Sequence, residues 1–180
     1  VQAVLTLGTF TLVTAQQKDI ASTLEVFDIK SNERTIILKE DDHFEAPNWS
    51  RDGSFFIINQ NGKLVKVGMN GKKEFIYTGL ANRCNNDHGI SPDGKTLVLS
   101  HNVEDGKEGW LTSCIFIVPI TGGEPVRITE NVPSFWHGWS PDGKKLVYTA
   151  KRGDSFNIYA ISASGGKEIQ LTNSEGLDDG

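Results

Sequence analysis

The stretch WHGWSPDGKKLVYTA, residues 136–150, joins a tight turn to an apolar strand, and its recurrence decides the fold. Pro141 fixes φ at the first central position of the turn, Asp142 can bond the backbone ahead of it, and Gly143 takes the positive φ that lets the chain reverse. The run KLVYT that follows has the β-branched and aromatic composition of a strand. The same pairing occurs twice more: Ser50-Arg51-Asp52-Gly53 precedes FFIIN, and Ser91-Pro92-Asp93-Gly94 precedes TLVLS. After each comes a further pair of strands around a Gly-containing turn: LVKVGMNGKKEFIYT at 64–78, IFIVPITGGEPVRITEN at 115–131 and IYAISASGGKEIQLTN at 158–173.

A unit of about 40 to 50 residues holding four short strands is the pattern of a β-propeller blade. A meandering β-sandwich also predicts strands and turns, but not the recurrence of every signal together. The expected fold is therefore all-β, a propeller of four-stranded blades. STLEVFDIKSNERTIILKE, residues 22–40, matches the last two strands of a repeat rather than the first two. The chain is thus expected to hold about three and a half blades and to be a fragment, incomplete at its C-terminus, of a six-bladed ring; the alternative is a short protein that closes by dimerising.

Composition narrows the function classes. The formal charge of −5, with no cluster of Lys and Arg, lacks the electrostatic footprint that nucleic acid or an anionic membrane surface requires. Residues 1–15, VQAVLTLGTFTLVTA, read as the remnant of a secretory signal cleaved after Ala15, although LTLGTFTLV also alternates as a strand would. The run is too short for a membrane span, so the expectation is a chain that does not cross a membrane, with repeats over 16–180. Cys84 and Cys114 have no C-x-x-C spacing, which leaves a disulfide open and gives no support to a zinc site.

The motifs W-S-P-D-G-K-K-L-V-Y-T and I-S-P-D-G-K-T-L-V-L-S, followed by S/T-x-G-G and then Q-L-T or R-I-T, resemble the TolB-like, WD-type β-propeller repeats of bacterial periplasmic proteins. The resemblance covers roughly residues 20–180 and implies a periplasmic or secreted location and a role in binding protein partners. TolB itself carries an α/β domain ahead of its propeller, whereas here blade strands begin within a few residues of the expected cleavage site. Similar repeats form the propeller of prolyl-oligopeptidase-type peptidases, but no G-x-S-x-G elbow occurs in these 180 residues.

The candidate site follows from the repeat. In a propeller the first strand of each blade lies nearest the central channel, and the residue three before the turn serine is Pro47, His88 and His137 in the three repeats. Two successive histidines are thereby expected to face one channel mouth, among Asn86, Asp87 and Trp136 and near Asp178 and Asp179 of the following repeat. Three readings stay open for this group. The histidines pack between blades; they contact a carbohydrate or other ligand, with Trp136 stacking on a sugar face; or His88 and His137 hold a divalent metal, an arrangement similar to that of the oligogalacturonate lyases. No cofactor is expected beyond that metal. Asp52, Asp93 and Asp142 are read as turn residues rather than calcium ligands, Trp49, Ile90 and Trp139 as inter-blade core, and HNVEDGKEGW (101–110) as an exposed insertion. The leading expectation is a binding or protein-interaction module, with a metal-dependent propeller enzyme or a peptidase's propeller as alternatives.

Overall fold

A computed structural model describes residues 20–104 and 109–179, so the expected signal segment lies outside the described residues. The chain runs β1 (Ser22–Asp28), β2 (Glu33–Glu40), β3 (Phe44–Trp49), β4 (Phe55–Gln60), β5 (Lys63–Gly68), β6 (Lys73–Phe75), β7 (Cys84–Ile90) and β8 (Thr96–Asn102). After a 3-10 turn at Gly109–Thr112 follow β9 (Ser113–Pro119), β10 (Val126–Arg127), β11 (Ser134–Trp139), β12 (Lys145–Arg152), β13 (Ser155–Ser162) and β14 (Ile169–Gln170). Each repeat is one four-stranded antiparallel sheet in chain order, β3 to β6, β7 to β10 and β11 to β14, while β1 and β2 pair separately. The first strands of neighbouring sheets, β3 with β7 and β7 with β11, lie against each other. These are blades of a β-propeller with their first strands innermost.

Within the turn motif every residue has an identifiable role. Ser91 Oγ accepts the Thr96 amide at 2.9 Å and donates to Asp93 at 2.6 Å, while Asp93 accepts the Lys95 amide at 3.1 Å. Ser140 and Asp142 repeat the arrangement, and Ser50 and Asp52 reproduce its backbone contacts. Gly53, Gly94 and Gly143 close the turns at φ of 74°, 74° and 70°. All three carboxyls sit below their ordinary pKa, held there first by the serine hydroxyl, so the turn accounts for them fully. The threonine of R-I-T and Q-L-T is equally specific in its role. Thr129 and Thr172 accept the Ile115 and Ile158 amides, each at 2.9 Å, where the two-residue outer strand runs out.

Packing follows the period of two. Along β4, Ile57 points into the core shared with the second blade, while Phe56 and Ile58 point into the core shared with β1 and β2. Along β8, Leu97 and Leu99 face the first blade and Val98 faces the third, where it meets Tyr148 and Ile161. Strands buried on both faces read as continuous apolar runs, which is why FFIIN and TLVLS show no alternation.

Two expectations are corrected. Trp49 is half-exposed and stacks on Phe56 of its own blade at 5.0 Å, so only Ile90 and Trp139 of that trio pack between blades. The stretch 101–110 does not begin as a loop: His101 and Asn102 end β8, and the buried His101 ring accepts the Arg83 amide at 3.1 Å. The open question of a disulfide closes, because Cys84 lies opposite His101 and His101 opposite Cys114. Two strand spacings, about 9 to 10 Å, separate the cysteines, beyond the roughly 7 Å that a disulfide spans. Both are buried free thiols. No helix among the described residues is long and apolar enough to cross a membrane.

Candidate ligand-binding site

The inner strands are not regular, and their irregularities build the site. Each breaks its pairing ahead of the turn: between Glu45 and Asn48 in β3, between Cys84 and His88 in β7, and between Trp136 and Gly138 in β11. An inserted residue bends a strand and re-aims side chains, as β-bulges do near functional sites. In β3 the insertion carries Ala46 at φ 53°, a conformation that a non-glycine residue adopts only under constraint. The bulged residues Asn86, Asp87 and His137 enter the wall of a cavity of about 550 Å³. Phe135, Thr149, Phe156, Leu177 and Asp179 complete it.

One wall is polar. His137 Nε2 lies 3.1 Å from Asp179 Oδ1, with 27% of the His137 side chain exposed. Asp87 stands beside them, its amide donating to Asn85 Oδ1 at 2.9 Å. Burial pushes the Asp87 carboxyl above its ordinary pKa; the charges of Asp179 and Glu45 push the same way, and His137 opposes them. Phe135, Phe156 and Leu177 supply the apolar part of the lining. Thr149 lines the cavity at 2% exposure, and its hydroxyl has no hydrogen-bond partner.

The expected pair of channel histidines does not converge. Counted back from the turn, the break in β7 begins only beyond His88, whereas that in β11 falls on His137 itself, so the two histidines occupy different places. His88 is already back in register, opposite Leu99, and is 2% exposed with Nε2 3.4 Å from the Ile57 carbonyl oxygen. Burial pushes its pKa down to about 4, so it is a neutral ring between blades. Asn48 supports the same junction by donating to the His88 carbonyl at 3.0 Å. Trp136 is likewise a packing residue: its indole lies over Gly89, so close that a Cβ there would fall 2.1 Å from the ring. Asp178 donates its amide to the Phe156 carbonyl and is not part of the cavity wall.

Of the sequence candidates, Asn86, Asp87, His137 and Asp179 come together, and His88, Trp136 and Asp178 do not. Among the described residues no group of three or more His, Cys, Asp or Glu side chains is placed to hold a metal ion. Thr149, Phe156, Leu177 and Glu45 escaped the reading of the sequence. Thr149 had a signal, since it is a small hydroxyl residue within the apolar run of KLVYTA.

The fold and its bulged inner strands define the class: a β-propeller built from Ser-x-Asp-Gly blades, with a pocket at the first strands. In its repeats and its fold the chain is similar to TolB-like β-propellers. A structure reported under the TolB name from Agrobacterium tumefaciens is 42% identical with a TM-score of 0.80, covering 89% of this chain and 56% of that one. TolB from Acinetobacter baumannii is 21% identical with a TM-score of 0.71, covering 87% and 39%, a likeness of fold. An uncharacterized protein of Agrobacterium fabrum is 42% identical over 171 residues, 94% of this chain and 57% of the relative. The chain therefore spans a little over half the length of that curated relative. No family model matches it.

Proposed function

We propose that the chain is the repeat region of a periplasmic or secreted TolB-like propeller that works as a binding and protein-interaction module rather than as an enzyme. The observation that carries this reading is the pocket, which gathers bulged residues of two adjacent inner strands around a wall of mixed polar and apolar character. Such a mixture suits recognition of a partner segment. The likeness to TolB structures and the export-signal pattern of residues 1–15 support the location.

The test is crosslinking in cells of the source organism that make the full-length protein with its own N-terminus. Complexes are compared for wild type, an Asp87→Lys, His137→Ala variant at the pocket and a Lys167→Glu variant at an exposed outer turn. The expected result is a discrete adduct in the periplasmic or secreted fraction, lost in the pocket variant and kept in the outer one. Retention in the cytoplasm, or adducts insensitive to the pocket variant, would overturn the proposal.

A further inference from the structure

We propose that the pocket receives a basic side chain, lysine or arginine, presented by an extended segment of the partner; this deepens the binding-module reading and rests on it. Four observations point to an organic cation with an apolar stem. The polar part of the lining carries Asp87 from the second blade and Asp179 from the segment after the third, and Asp87 also feels the charge of Glu45 from the first. His137 braces Asp179 at 3.1 Å, and Asp87 adds a second carboxyl to the lining. No lysine or arginine among the described residues lines the cavity, and Lys151 stands outside it with its ammonium 6.0 Å from the Phe156 ring centre.

The lining also holds Phe135, Phe156 and Leu177, which suit methylene groups and, for the two rings, a nearby cation. The Thr149 hydroxyl, buried and without a partner, is the independent sign of a ligand. A buried hydroxyl left unpaired is costly, and a ligand N–H would satisfy it. An inorganic cation fits less well, because the described acidic and imidazole side chains form no cage of three ligands. The volume, about 550 Å³, exceeds what one side chain needs and leaves space for the neighbouring backbone of an extended segment.

The test uses the full-length protein and four probes, the N-acetyl methylamides of lysine, arginine, norleucine and citrulline, titrated by NMR. Lysine and arginine probes are expected to bind about tenfold more tightly than their uncharged counterparts, the difference that a charge-assisted contact supplies. Asp87→Asn should remove that preference, and Thr149→Val should weaken the basic probes several-fold. Thermal melts establish that both variants remain folded. Equal affinity for norleucine and lysine, or a preference that survives Asp87→Asn, would overturn the inference. So would displacement of the probes by micromolar Mn²⁺ or Ca²⁺, which would make the pocket a metal site. Each of those results leaves the binding-module proposal standing if the cellular adduct still depends on the pocket; loss of that dependence sinks both.

Discussion

Gly89 and Gly138 hold the same place in their blades, yet a methyl group would be felt only at the first. At Gly89 an added Cβ meets the Trp136 ring at 2.1 Å, while at Gly138 nothing described lies within 4 Å. Gly89→Ala is expected to cost about 1–3 kcal/mol, the usual range for overpacking, and Gly138→Ala only a few tenths; chemical denaturation of the two variants checks it. His88 sets a pH dependence. Its folded pKa, about 4, lies below the ordinary 6.5, so the unfolded chain takes up the proton first as pH falls. Stability is complete above about 6.5 and declines towards 4, by roughly 3 kcal/mol. The His101 ring, also pushed down by burial, adds to the same window. Denaturation curves at pH 7 and pH 4.5 should show a smaller loss for His88→Gln than for the natural protein. The position of His88 was legible in the sequence and its direction was not, because counting from the turn does not show where along the strand a bulge falls.

At the scale of the blade, the third sheet is tied by a partly buried ion pair. Arg152 reaches both oxygens of Glu168, at 2.7 and 2.8 Å, and donates onward to the Pro133 carbonyl and Ser134. Tyr148 donates to the same carboxylate at 2.8 Å. The network joins β11, β12 and the turn before β14. Arg152 first among its neighbours holds Glu168 below its ordinary pKa, so the pair stabilises the fold above about pH 4.5 and fades as acid protonates the carboxylate. Glu168→Gln is expected to cost about 2 kcal/mol at neutral pH and progressively less as pH falls below 4.5, a trend that melts at several pH values would reveal. Blades, strand order and turns were readable because Ser-x-Asp-Gly and the paired apolar runs repeat. This network was not, since Arg152 and Glu168 lie 16 residues apart and no other repeat copies them.

For the molecule as a whole, the inner ends of the blades gather negative charge that no single repeat displays. The sequence disclosed Asp87 and Asp179 as neighbours of a channel position, but Glu45 and Thr149 join them only once sheets stand side by side. Burial and the charges of Asp179 and Glu45 raise the Asp87 pKa, so its ionised form opposes folding. Here the sign is the reverse of an ion-paired carboxylate: stability is greatest while Asp87 is protonated and is lost as pH rises through its folded pKa. A binding site that retains such a charge trades stability for recognition. The decisive measurement is therefore Asp87→Asn in the full-length protein, read at neutral pH for both melting temperature and recovery of the crosslinked partner. The expected outcome is a melting temperature equal to or above that of the natural protein, with recovery of the partner reduced about tenfold. Undiminished recovery, or a fall in melting temperature that explains the loss by itself, would contradict a pocket built for binding.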